Sequence, residues 1–349
     1  MKTQLKNARE LKGLKTREVA QLLEIDQALI SKFESGGRKP TREQIIKLAS
    51  LLEIDLETIM VAWLKEKIIH EIGQEEFALK ALLLAEEEIR YQNKVVKQKI
   101  STTLQKIIDE IDILKSKLDS FHEFDNYRIT RTLELEYTFE SNRIEGNTMT
   151  LQETDLVINE GLTISGKSMR EHLEVINHQE AIAYIKDLTQ RNSFINEREI
   201  LSIHNLIVRG IYPEDAGRYR KVQVLIQGSS TIPPQPHLVA KEMDAFFIWY
   251  ESHKSSLHPI VLAAELHERL VRIHPFNYGN GRTLRLVMNL ILLQHGYEIA
   301  SIKGDYETGI QYYKALETAQ TKSNNEDFLI FIAQKEKESL QRYLTCIDQ

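Results

Sequence analysis

His274-Pro275-Phe276-Asn277-Tyr278-Gly279-Asn280-Gly281-Arg282-Thr283-Leu284-Arg285 is the stretch on which the reading of the chain turns. Gly279 to Arg282 form a glycine-rich turn ahead of an apolar helical run, Leu284 to Leu293. The N-terminus of such a helix presents unpaired backbone N–H groups and positive dipole potential, both suited to an anion. Arg282 and Arg285 lie three apart, on one side of that helix, where two guanidiniums can fork onto phosphate oxygens. His274 stands just before the turn, with a side chain that titrates near neutral pH and serves as a general base. A histidine beside a proline is ordinarily structural. Here the density of groups around it points to chemistry, and a base, an anion-binding turn and two arginines suggest phosphoryl or nucleotidyl transfer.

The twelve residues resemble the Fic-family pattern H-P-F-x-[D/E]-G-N-G-R-x-x-R, matching it everywhere but at position 278. The resemblance extends outward to Ala263–Ile273, similar to the helix leading into the loop. Gly217-Arg218-Tyr219-Arg220, Val222–Ile226 and Ile232-Pro233-Pro234 are similar to the family's target-docking flap. It covers roughly residues 120–345. It implies an all-α fold with one small β-hairpin flap, and transfer of AMP from ATP to a Ser, Thr or Tyr hydroxyl of a target protein or of the chain itself. By position, His274 would deprotonate the hydroxyl and Phe276 would anchor the loop. Asn280 and the Gly281 amide would hold the α-phosphate, Arg282 and Arg285 the β- and γ-phosphates, and Gly279 would belong to the same nucleotide-binding turn. Tyr312 and Tyr313 would border the adenine.

A second element, Ser141-Asn142-Arg143-Ile144-Glu145-Gly146-Asn147, resembles the family's [S/T]-x-x-x-E-[G/N] inhibitory motif, on a helix expected near 127–146. By that resemblance Glu145 pairs with Arg285 and competes with the γ-phosphate; Ser141 belongs to the same element. Position 278 carries Tyr where the family has a metal-ligating acid. A neutral phenol with a pKa near 10 is a poor ligand for a hard cation. Mg²⁺ is implied by the resemblance, with no residue assigned to hold it. The leading expectation is an autoinhibited adenylyltransferase. The alternatives are a regulator that binds nucleotide without efficient transfer, and a hydrolase that removes AMP through Glu145.

Further out, residues 1–52 hold 11 Lys/Arg against 6 Asp/Glu, a local +5 in a chain whose net charge is −6. Thr16–Leu23 and Gln27–Glu34 read as two short helices joined by the turn Glu24-Ile25-Asp26, with Val19, Leu22, Ile25 and Ile30 at packing positions. Together with Gly36-Gly37-Arg38-Lys39-Pro40 they resemble a lambda-repressor-like (XRE) helix-turn-helix domain. That resemblance implies DNA contacts by Gln27, Ala28, Ser31, Lys32, Arg38 and Lys39, with Arg17 beside them. Such modules commonly bind half-sites as dimers, so a homodimer fits this reading. The expected organisation is a helix-turn-helix domain at 1–60, a helical linker at 61–120 and a Fic domain at 121–349. One cysteine, Cys346, among 349 residues leaves no partner for an intramolecular disulfide. No apolar run is long enough to span a membrane, and residues 1–6 lack the apolar stretch of a signal peptide. The expected location is cytoplasmic, with no membrane partner.

Overall fold

The computed structural model describes residues 1–349 except 24, 84, 87–99, 122–126, 192, 227, 228, 323, 348 and 349. The chain divides into two compact units, residues 1–83 and 84–349. Among the described residues the regular structure is helical, with no strand.

The first unit contains α1 (Lys2–Leu11), α2 (Thr16–Leu22), α3 (Gln27–Ser35), α4 (Arg42–Leu52) and α5 (Leu56–Ile72). Short polar side chains start three of these helices. Asp26 accepts from the Ala28 amide at 2.7 Å, Thr41 and Gln44 form a reciprocal capping box, and Asp55 accepts from the Thr58 amide at 2.8 Å. Each cap satisfies amides that the helix itself cannot. Val19, Ile30, Phe33, Ile45, Leu48, Ile59 and Trp63 form the core. The core therefore runs past residue 60, and Trp63 Nε1 donates to the Pro40 carbonyl at 2.9 Å. Leu22, expected to pack, is 60% exposed: α2 ends there, and its last turn faces outward. Of the linker expected at 61–120, the stretch 87–99 lies outside the described residues.

The second unit holds α6 (Thr102–Asp119), α7 (Tyr127–Ile144), α8 (Leu151–Glu160), α9 (Met169–Gln190) and α10 (Glu197–Val208). These are followed by α11 (Val239–His253), α12 (Pro259–Ile273), α13 (Asn280–Gln294), α14 (Tyr306–Lys322) and α15 (Glu326–Ile347). Leu104, Ile108, Ile111 and Leu118 of α6 join this unit's core, and α6 packs on α15. At the centre lies α13, buried on every side from Arg282 to Leu292. Its neighbours α9, α10 and α12 enclose it.

Among the described residues the expected hairpin has no paired strands. Tyr219 to Ile226 is irregular, and the Gly228 turn lies outside the described residues. The return arm carries Pro233, Pro234 and Pro236, which lack the N–H groups a ladder requires. Side chains tie the two arms instead: Arg220 Nη2 donates to the Pro234 carbonyl at 2.6 Å, and Gln223 Nε2 to that of Pro233 at 3.0 Å. Val222, Leu225 and Ile232 stand exposed along the flap.

Buried titrating groups give the second unit a pH dependence. Burial pushes His204 and His267 down to about 4 and His178 well below its ordinary value, and His274 is also lowered to about 4. Between pH 6.5 and 4 the unfolded chain binds protons that these folded histidines refuse, so stability falls as pH falls. Burial raises Glu298 to about 7 and also raises Glu336, and these two carboxyls act in the opposite sense. Four lowered histidines outnumber two raised carboxyls, so the net effect from pH 7 to pH 5 is a loss of stability. Urea unfolding at the two pH values checks this: the midpoint is lower at pH 5, and an unchanged or higher midpoint contradicts it.

Candidate active site

The loop between α12 and α13 is held from several directions. His274 ends α12 in the left-handed region at φ 49°, its amide donating to the Leu270 carbonyl at 2.9 Å. A non-glycine residue is strained there, and such strain gathers at sites where a side chain must be aimed. Phe276 is fully buried and stacks on His204, ring centroids 3.7 Å apart. The Gly217 amide donates to His204 Nδ1 at 3.1 Å, so Nε2 carries the proton and donates to the Tyr278 carbonyl at 3.0 Å. Arg220 closes the other side, its amide donating to the Pro275 carbonyl at 2.9 Å and its Nε to that of His274 at 2.8 Å. The same guanidinium ties the flap to the loop.

Gly279 begins α13 at φ +73°, and an added Cβ would stand 2.7 Å from Val208 Cγ1. Gly279→Ala therefore combines left-handed strain with overpacking and costs about 2 kcal/mol, read as a drop in unfolding temperature. Asn280 turns inward: Oδ1 accepts from the Phe276 amide at 3.0 Å and Nδ2 donates to the Phe276 carbonyl at 2.8 Å. In this state its side chain shapes the loop.

Both arginines are buried and engaged. Arg285 Nε donates to Ser141 Oγ at 3.2 Å, and Nη2 donates to the Ser141 carbonyl and to Glu145 Oε1, both at 2.9 Å. Arg282 Nη1 donates to Asn142 Oδ1 at 3.3 Å, and its Nη2 lies 3.4 Å from Glu174 Oε1. Glu145 comes from the turn just after α7, and its carboxylate lies over the first turn of α13. A Cβ on Gly281 would overlap Glu145 Oε1 and stand 3.0 Å from Arg285 Nη1. The carboxylate thus sits where the helix N-terminus would receive an anion. Burial would raise the Glu145 carboxyl, but the Arg285 and Arg282 guanidiniums outweigh it and hold it below its usual range. Glu145 is ionised at neutral pH. Burial, with Arg220 adding to it, keeps the His274 ring neutral at pH 7, the form that accepts a proton.

The remaining expected residues fall in different places. Tyr312 is core: its hydroxyl donates to His267 Nε2 at 2.7 Å, while His267 Nδ1 donates to the Leu284 carbonyl. Tyr313, next to it, is half exposed. In the first unit Arg17, Gln27, Ala28, Ser31, Lys32 and Arg38 are exposed. Lys39 is half-buried, its ammonium donating to the Glu66 carbonyl at 3.1 Å. Sequence reasoning missed His204 and Glu174, which reach the site from helices with no motif of their own, and gave no role to Asn142 within the Ser141–Asn147 motif.

A protein-held Mg²⁺ does not fit the donor set. Tyr278 stacks on Tyr212 with centroids 3.8 Å apart and supplies no charged oxygen. Asn277 Nδ2 engages the Asp215 carboxylate at 2.6 Å. No group of three His, Cys, Asp or Glu suited to a metal occurs among the described residues. Hard divalent cations favour charged oxygen ligands, and the loop offers none at the usual position.

Residues 194–292 match the Fic/DOC family model, and residues 5–59 match a helix-turn-helix model. The chain is 36% identical over 250 residues to the protein adenylyltransferase Fic of Nematostella vectensis, covering 70% of this chain and 57% of that protein. It is 34% identical over 244 residues to that of Culex quinquefasciatus, covering 69% and 48%. The chain spans about half the length of the curated relatives it matches. Among solved structures, Fic-1 of C. elegans aligns at TM-score 0.63 and 25% identity, covering 99% of this chain and 97% of that one. A Fic domain containing signaling protein from Bacteroides thetaiotaomicron aligns at 0.57 and 27%, covering 70% and 94%. Among the described residues no helix is long and apolar enough to cross a membrane. By these matches residues 194–292 form a Fic/DOC domain and residues 5–59 a helix-turn-helix domain.

Proposed function

We propose that the chain is an autoinhibited protein adenylyltransferase. The observation that carries this reading is the Glu145–Arg285 ion pair at 2.9 Å, set over the first turn of α13 beside a neutral histidine. With Glu145 withdrawn, Arg282, Arg285 and the Gly281 amide are left facing the phosphates of ATP. His274 takes the proton of a target Ser, Thr or Tyr hydroxyl. The oxygen attacks the α-phosphorus, the bond from that phosphorus to the bridging oxygen breaks, and pyrophosphate leaves. Positively charged donors aimed at the phosphates stabilise charge as it develops on them. The exposed flap offers backbone edges to an extended target segment. Asn280 acts here by holding the Phe276 backbone, and Tyr313 is the nearer candidate for the adenine, since Tyr312 is core.

Transfer of label to protein from α-labelled ATP, and none from γ-labelled ATP, tests this reading in the chain carrying Glu145→Gly. Label from the γ-position instead would identify phosphoryl transfer. The ionised state of Glu145 favours a second reading, in which the same carboxylate orients water to remove AMP from a modified protein. Release of AMP from a pre-modified chain distinguishes the two.

The first unit is proposed to bind DNA through α3, whose exposed Gln27, Ala28, Ser31 and Lys32 would face the major groove. Arg17 and Arg38 would contact phosphates. The Lys32→Ala/Arg38→Ala double variant is expected to weaken binding on all DNA sequences and to flatten its dependence on salt. A gel-shift series in salt measures both.

A further inference from the structure

The replacement of the usual acid by Tyr278 belongs to a connected set of residues. Tyr278 stacks on Tyr212, and the Arg170 guanidinium stands 5.4 Å from the Tyr212 ring centroid. Arg170 Nε donates to Glu174 Oε1 at 3.0 Å, the same oxygen that lies 3.4 Å from Arg282 Nη2. Glu174 is itself buried, and it also accepts from Asn147 Nδ2 at 3.1 Å. One fixed carboxylate thus holds two guanidiniums side by side. Arg282 is buried, whereas the Arg170 side chain is 56% exposed on the rim, beside the aromatic pair that ends at the loop.

The charge count is suggestive. An acid at position 278 together with a divalent cation contributes a net +1 beside the phosphates. With Tyr278 neutral, Arg170, Arg282 and the Glu174 they share together carry a net +1, with no metal to hold. A guanidinium forks onto phosphate oxygens, keeps its charge at any physiological pH, and stacks on aromatic faces. We propose that Arg170, positioned by Glu174 and the Tyr212–Tyr278 stack, supplies to the ATP phosphates the positive charge that a protein-held divalent cation would otherwise supply. ATP binding by this chain is then largely independent of Mg²⁺. This proposal rests on the nucleotide site described above and deepens it.

The test is ATP affinity, measured by calorimetry on the full chain carrying Glu145→Gly, in Mg²⁺ and in excess EDTA. The parent binds ATP in EDTA within about threefold of its affinity in Mg²⁺. Arg170→Gln weakens binding in EDTA by about tenfold or more, and Arg170→Lys recovers most of the loss. Combining Arg170→Gln with Tyr278→Asp restores affinity in Mg²⁺ and leaves it weak in EDTA. The proposal is overturned if the parent loses ATP in EDTA, or if Arg170→Gln binds as well as the parent there. Failure of the transferase reading would show separately, as ATP that binds but passes no label to protein.

Discussion

Replacing Glu145 by glycine raises transfer of AMP to protein by about two orders of magnitude or more. In the structure Arg285 engages Glu145 and Ser141 through Nη2, and the Glu145 carboxylate lies against Gly281, where an anion at the head of α13 would sit. ATP can enter such a site only with its phosphates displaced from that helix terminus. Misplacing a reacting group by about 1 Å costs on the order of 10²-fold in rate. Glu145→Gly removes the carboxylate and leaves the Arg285–Ser141 contacts in place. The gain therefore appears in the rate of transfer, while the unfolding temperature changes little. Incorporation of label from α-labelled ATP reads the first quantity and thermal denaturation the second. Glu145→Gln is the informative companion. It keeps the shape but loses the charge that Arg285 attracts, so its activity falls between the two.

The second large effect is at His274. Substitution by alanine in the Glu145→Gly background lowers transfer by about 10² to 10⁴-fold, the usual contribution of a positioned general base. ATP affinity changes far less, because phosphate binding rests on Arg282, Arg285 and the α13 N-terminus. The separation of the two quantities is the signature of a base. Had His274 been only a loop residue, its removal would weaken nucleotide binding and rate together. Its φ of 49° gives a further control: His274→Asn tolerates the left-handed conformation, so it preserves the loop yet lacks the base.

The centre of the site was legible because its chemistry is local. His274, Gly279, Gly281, Arg282 and Arg285 sit within twelve residues, and their spacing alone places a base before a helix that presents two guanidiniums. Glu145 was legible from its short motif, although the contact it makes spans 140 residues. His204 and Glu174 were not legible, since each reaches the site from a separate helix and in sequence is one polar residue among many; Asn142 stood inside the Ser141–Asn147 motif at a position the motif leaves free. The flap was read as a hairpin from the alternation at Val222–Ile226, but pairing depends on the opposite arm, and the prolines there remove the donors. Leu22 shows the same limit in the first unit: apolar spacing marks a helix face without fixing where that helix ends. Tyr312 and Tyr313 are adjacent and chemically alike, yet one is core and the other half exposed, because neighbouring helical positions point about 100° apart.

The central claim is that one chain holds both a working transferase site and the carboxylate that blocks it. Its most direct test compares incorporation from α-labelled ATP into the unsubstituted chain, into Glu145→Gly, and into the Glu145→Gly/His274→Ala double variant, with the mass of each product measured. The account predicts little label in the first, strong label with the mass increment of one AMP in the second, and none above background in the third. Equal label in the first two would contradict the brake, and label surviving in the third would contradict the base.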